Sequence, residues 1–233
     1  MKKLQLELLG NCTIRYGDHV IGDAPRKVWI LFECLYVNRD RYVSMDEITR
    51  VLWSGKTMAN PANSIKVLVF ELRNRLDEFE KDFGKAIIQN INGAYRLSDA
   101  FQFESDAENF EKAALRATGK LDEESQREDL LDEAIDLYKG NVILMDEDCY
   151  WQKVIRQHYA ELFERVVLLK MDILSQSGRE KEAKALCEKA YITNPLSDVL
   201  RERVEKLSEA ELGCIVILVR GILPPFSLHG NML

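Results

Sequence analysis

Apolar and polar positions alternate at the start of the chain. "LQLELLG" (Leu4–Gly10) has a period of two, and in "CTIRYGDHVI" (Cys12–Ile21) Gly17-Asp18 sits between two short runs of the same kind. That pattern predicts a small antiparallel meander. The period then changes. "RKVWILFECLYVNRD" spaces Val28, Leu31, Leu35 and Tyr36 at i, i+3, i+7 and i+8, which predicts a helix with one buried stripe. "SMDEITRVLW" opens with Ser44 and has Glu47 three residues on, a capping box, with Ile48, Val51 and Leu52 facing inward. A turn-rich loop, Ser54–Asn63, leads to Pro61 in the first turn of the next helix.

That helix, "SIKVLVFELRNRLDEF" (Ser64–Phe79), buries Ile65, Leu68, Val69, Leu72 and Leu76 on one stripe. Its other face is not simply polar. Asn63, Ser64, Lys66, Val67, Phe70, Glu71 and Asn74 lie there, with Arg73 and Arg75 on the flanks. Such a helix either lies between two apolar layers or has a second face that touches something outside the fold. Asn92-Gly93 between two β-rich runs then marks a two-residue hairpin. A helix pair, a longer helix and a hairpin are the plan of a winged helix-turn-helix, in which the last helix enters the major groove and the hairpin flanks it.

From Ala100 onward the pattern is helical and no further strand is expected. In the longest segment Trp151, Ile155, Tyr159, Leu162, Val166 and Ile173 mark one face. Gly140 reads as a helix C-cap. Gly178, Ala183, Ala190 and Pro195 fall at the spacing of the later half of a tetratricopeptide-like helical hairpin. The expected architecture is α+β: a winged helix-turn-helix domain at 1–99, an all-α tetratricopeptide-like helical domain at 100–212 and an atypical C-terminal tail at 213–233.

Charge refines this division. The net charge of −7 argues against a nucleic-acid partner, yet it is unevenly spread. Residues 1–100 hold 15 Lys+Arg against 13 Asp+Glu, or +2, while the remainder hold 17 against 26, or −9. Five scattered cysteines without a C-x-x-C pair point to reduced thiols, and three histidines without ligands at metal spacing offer no metal site. "MDEDCYW" (Met145–Trp151) gathers three acids, but Asp148 capping the long helix accounts for them better than an ion does. No Ser/His/Asp or Cys/His set and no glycine-rich phosphate loop can be assembled, so neither an enzyme nor a cofactor is expected. No segment has the basic–apolar–small order of a signal peptide, and the run "CIVILV" is far shorter than a membrane helix. A cytoplasmic protein is expected.

In order along the chain, "LQLELLG", "ITRVLW", "NSIKVLVFELRNRL", "GAYRL", Asp106 with Phe110, and "EAIDLYKG" resemble regulators of the bacterial antibiotic-regulatory-protein (SARP) type. The resemblance covers roughly residues 3–207 and implies an OmpR-like winged helix followed by a bacterial transcriptional activator domain. It implies binding to double-stranded promoter DNA as dimers or as tandem copies on repeated half-sites, and contact with the transcription machinery, RNA polymerase included. No receiver domain is expected ahead of the first strand.

Each candidate contact has a plainer reading beside it. Lys66, Arg73, Arg75, Asn92 and Arg96 are expected at the DNA from their shared placement on helix and hairpin, although any one such charge alone reads as a solvated surface group. Val67 and Phe70 either meet thymine methyl groups or pack against the preceding loop or the helical domain. Glu71 can only accept in a groove, as from a cytosine amino group, or it pairs with Arg75 four residues on. The rival to a DNA-binding regulator is a protein–protein adaptor whose winged helix does not bind DNA.

Overall fold

The computed structural model describes residues 2–22, 24–53, 58–119, 124–141 and 150–208. They divide into two compact units, Met1–Val166 and a second that begins at Val167. The "MDEDCYW" acids, Asp148 among them, and the tail 213–233 lie outside the described residues.

The first unit begins with the expected meander, β1 (Lys2–Glu7), β2 (Thr13–Tyr16) and β3 (His19–Ile21), in which β1 pairs antiparallel with β2 and β2 with β3. Alternation along β1 buries Leu4 and Leu6 and leaves Lys3, Gln5 and Glu7 exposed. A fourth strand, β6 (Phe101–Ser105), pairs parallel with the other edge of β1 and gives the order β3-β2-β1-β6. The expectation that strands end by Ala100 is therefore corrected. A parallel partner almost a hundred residues away leaves no local turn signal, and "FQFES" is too short to declare itself.

Between the meander and β6 run α1 (Arg26–Val37), α2 (Met45–Leu52), α3 (Pro61–Leu76), the short α4 (Phe83–Ile87) and the hairpin β4 (Ile88–Ile91)–β5 (Ala94–Leu97). The single stripe expected of α1 is also corrected. Every residue from Val28 to Tyr36 is buried, because α2, α3 and β5 all pack around it. The capping box of α2 is present in full: Ser44 Oγ accepts from Glu47 N, and the Glu47 carboxylate accepts from Ser44 N at 2.9 Å. Asn60 caps α3, its Oδ1 accepting from Asn63 N at 3.1 Å, and Pro61 follows in the first turn.

After β6 come α5 (Asp106–Thr118), α6 (Glu124–Leu137) and α7 (Tyr150–Gln176). Phe110 lies against Tyr138 and Tyr159, and Tyr138 stacks on Phe163 with ring centroids 4.0 Å apart. Gly140 lies three residues beyond the end of α6, where its chain passes so close to Gly10 that a β-carbon on Gly10 would lie 2.7 Å from Lys139 C. In the second unit Gly178, at φ 72°, turns the chain out of α7, and Arg179 N donates to Leu174 O at 2.8 Å. Next, α8 (Glu180–Thr193) buries Ala183, Cys187 and Ala190 and stops before Pro195, and residues 198–208 are helical. The chain is thus a mixed α/β N-terminal part with a small sheet, followed by helices. Among the described residues no helix is long and apolar enough to cross a membrane.

Candidate nucleic-acid interface

The periodicity of α3 sorts most of its side chains, although Leu68, expected on the buried stripe, is only half-buried at its edge. Ile65, Val69, Leu72 and Leu76 are buried against the core made with α1 and α2. Asn63, Lys66, Val67, Phe70 and Asn74, spaced i, i+3, i+4, i+7 and i+11, are exposed along the opposite side. Val67 is 55% and Phe70 66% exposed, while residues 54–57 of the loop read as an alternative cover for them lie outside the described residues. Ser64 is half-buried, its Oγ donating to Asn60 O at 3.2 Å within the cap. Val67 and Phe70 are thus neighbouring apolar side chains exposed within an otherwise polar stripe.

Cations are arranged differently from what the spacing suggested. Arg73 turns away from the exposed stripe, and its Nη2 donates to Ile88 O at 2.7 Å at the start of the hairpin. Gly84 of α4 reinforces that junction, since a β-carbon there would lie 2.5 Å from Arg73 Cα. Arg75 pairs with Glu78 at 3.2 Å, one turn on, and not with Glu71. Arg96 pairs with Asp99, donates to Leu97 O and lies over the Tyr42 ring, 5.3 Å from its centroid. Long basic side chains extend along whatever surface the tertiary fold offers, and here three of the four candidates find partners inside the chain. Lys66 remains as the cation of the outer stripe, and Glu71, half-buried beside it, has no hydrogen-bond or ion-pair partner among the described residues.

The hairpin stands next to this helix. Asn92 and Gly93 take φ of 51° and 83° between the paired residues Ile91 and Ala94, a turn that only residues tolerant of the left-handed region form readily. Gly93 also faces Met45 Cε, which a β-carbon would approach to 2.6 Å. Tyr95 is buried and bridges to Val43 through both backbone hydrogen bonds, fixing the hairpin to the segment before α2. At the hairpin end Asn92 is exposed, and so is Ile91, at 54%. Ile91 was not singled out from the sequence, although an isoleucine immediately before Asn-Gly is a visible signal. Among the described residues no group of histidines, cysteines and carboxylates could hold a metal ion.

The helices that follow the sheet can be compared with known families. Residues 105–208 match the family model of the bacterial transcriptional activator domain. That part of the chain is similar to the domain over its described helices. The resemblance to SARP-type bacterial transcriptional regulators, first read from ordered motifs, is borne out. Among solved structures, the chain is similar to Mycobacterium tuberculosis EmbR, a structure solved in complex with a low affinity phosphopeptide, at a TM-score of 0.64 and 20% identity. That likeness is one of fold. It takes in 89% of this chain and 55% of the EmbR chain, so the chain spans about half the length of that relative. No curated protein sequence matches it. The matched region begins at the end of β6, after the hairpin in the chain.

Proposed function

We propose that the chain is a sequence-specific, DNA-binding transcriptional regulator that activates at promoters. In this reading residues 1–99 are a winged helix-turn-helix, residues 100–212 a tetratricopeptide-like activator domain and 213–233 a tail. The observation that carries it is the outer stripe of α3: Asn63, Lys66, Val67, Phe70 and Asn74 exposed in one row, beside a hairpin whose tip presents Ile91 and Asn92. The stripe combines one cation, two amides able to read base edges and two apolar groups able to meet thymine methyls, which is the mixture that direct readout in a major groove uses. The half-charge of the first hundred residues, +2 against −9 for the rest, agrees with DNA at that end and a protein partner such as RNA polymerase at the other. The regulator acts in the cytoplasm, as a dimer or in tandem copies on promoter repeats, and has no enzymatic activity.

A second reading has its own support. With Arg73, Arg75 and Arg96 engaged inside the chain, the stripe is poor in positive charge and rich in exposed apolar surface, which suits a protein partner. Selection of bound sequences from a random duplex pool separates the two. A regulator enriches a motif, and its affinity for that motif falls with log salt at roughly −0.9 per phosphate contact. An adaptor enriches nothing and shows no gel shift at low salt.

A further inference from the structure

Within the first unit a cleft of about 440 Å³ opens between α1 and the first half of α7, the size of sites that hold small molecules. Its walls are largely apolar: Leu8, Tyr36, Val37, Val154, Ile155 and Tyr159. Val37 and Val154 are half-exposed on its rim, at 54% and 48%.

The polar groups in the cleft are unevenly matched. Glu108 accepts from Tyr36 Oη at 2.6 Å and pairs with Arg39 Nη2 at 2.7 Å. His158 Nε2 lies 2.9 Å from Glu111 Oε1. Both basic side chains of the lining therefore already face a carboxylate. Glu33 has no such partner. Although only 7% exposed, it reaches just the weak thiol donor of Cys12, whose Sγ is 3.9 Å from Oε1; among the described residues its other oxygen has no hydrogen-bond partner. A carboxyl group so deeply buried without a strong donor is unfavourable, and burial raises its pKa to about 7 while the Cys12 contact acts the other way.

The group left over in an apolar cleft is thus an acceptor. We propose that this cleft is a ligand site for a small apolar amine, with its ammonium on Glu33 and its hydrocarbon body between Val37 and Val154. A ligand carboxylate would meet Glu33, Glu108 and Glu111 with both Arg39 and His158 already engaged, and a wholly apolar ligand would leave Glu33 unmatched. The site stands apart from α3 and the hairpin, and does not depend on DNA binding.

Three ligands with one indole body test it by calorimetry on the full chain at about pH 8, above the value to which burial raises Glu33. Tryptamine is expected to bind at least about tenfold more tightly than tryptophol or indole-3-propionate. Glu33→Gln removes that preference, weakening tryptamine about tenfold and leaving tryptophol unchanged. Because Glu33 is buried, Val154→Lys serves as a second variant at an exposed position: it leaves Glu33 and the fold in place, and the new charge weakens tryptamine about tenfold. Equal binding of the three ligands, no saturable tryptamine binding up to about 10 mM, or tryptamine binding insensitive to Val154→Lys overturns the assignment.

Discussion

Arg73 Nη2 donates to Ile88 O at 2.7 Å, so an arginine in the last turn of α3 ties that helix to the first strand of the hairpin. A charged donor on a backbone carbonyl is worth about 1.5–3 kcal/mol, and its removal leaves that carbonyl short of a partner. Arg73→Ala is therefore expected to lower the urea midpoint of unfolding by a corresponding amount. If the chain binds DNA, the salt slope of binding stays unchanged because no phosphate contact has gone. A slope shallower by about one, with stability intact, would return Arg73 to the phosphate role that its spacing suggested.

Glu33 sets a pH dependence whose direction follows from its burial. Its carboxyl titrates near 4.5 in an unfolded chain and at about 7 in the folded one. Between those values the folded protein holds a proton that the unfolded chain has released, so stability falls as pH rises from about 4.5 to about 7 and then levels. The full effect is on the order of 3 kcal/mol. Glu33→Gln cannot ionise, so wild type should lose ground against the variant across that window and nowhere else. A difference in melting temperature that stays flat from pH 5 to 8 would show that Glu33 is ionised throughout.

Phe70 tests the outer stripe with little structural cost. At 66% exposure its ring contributes little to the core, so Phe70→Ser should change stability by no more than about 0.5 kcal/mol. Binding to a selected duplex should weaken, with the loss concentrated at one or two base pairs, as expected of an apolar contact to a thymine methyl. Substituting uracil for thymine at those pairs in the wild-type site should reproduce the loss. A uniform loss across all sequences would mean that Phe70 does not read bases.

Much of this was legible along the chain because the signals were local. The capping box of Ser44 and Glu47, the Asn92-Gly93 turn and the buried row Ile65, Val69, Leu72 and Leu76 each depend on residues a few positions apart. The exposed row of α3 followed from the same periodicity. What was not legible is tertiary. β6 exists because Phe103 finds Leu4 across the sheet, and nothing near Phe103 announces it. Arg73 and Arg96 turn inward because Ile88 O, Tyr42 and Asp99 happen to lie within reach of long, flexible stems. Glu33 left a trace, a single acid inside the apolar run "VWILFECLY", but its burial follows from the elements packed all round α1 and not from one stripe.

Glu71 decides how the stripe treats a phosphate backbone. The fold separates its two readings in advance, since Arg75 pairs with Glu78 at 3.2 Å and leaves Glu71 without a partner among the described residues. An i, i+4 pair with Arg75 would contribute only about 0.2–0.5 kcal/mol in any case. Glu71→Gln should therefore leave the melting temperature unchanged. Its carboxylate is half-buried on the side of α3 that carries Lys66, Val67 and Phe70, so in a groove it would oppose approach to any duplex regardless of sequence. Neutralising it should raise affinity for random duplex DNA and narrow the gap between selected and random sites, most clearly at low salt, where surface charge is least screened. Both quantities come from one variant: a melting curve and an anisotropy titration against random duplex. Unchanged random-duplex binding, in a chain whose wild type binds a selected site, would remove Glu71 from the interface and limit the contact surface to the exposed row of Asn63, Lys66, Val67, Phe70 and Asn74.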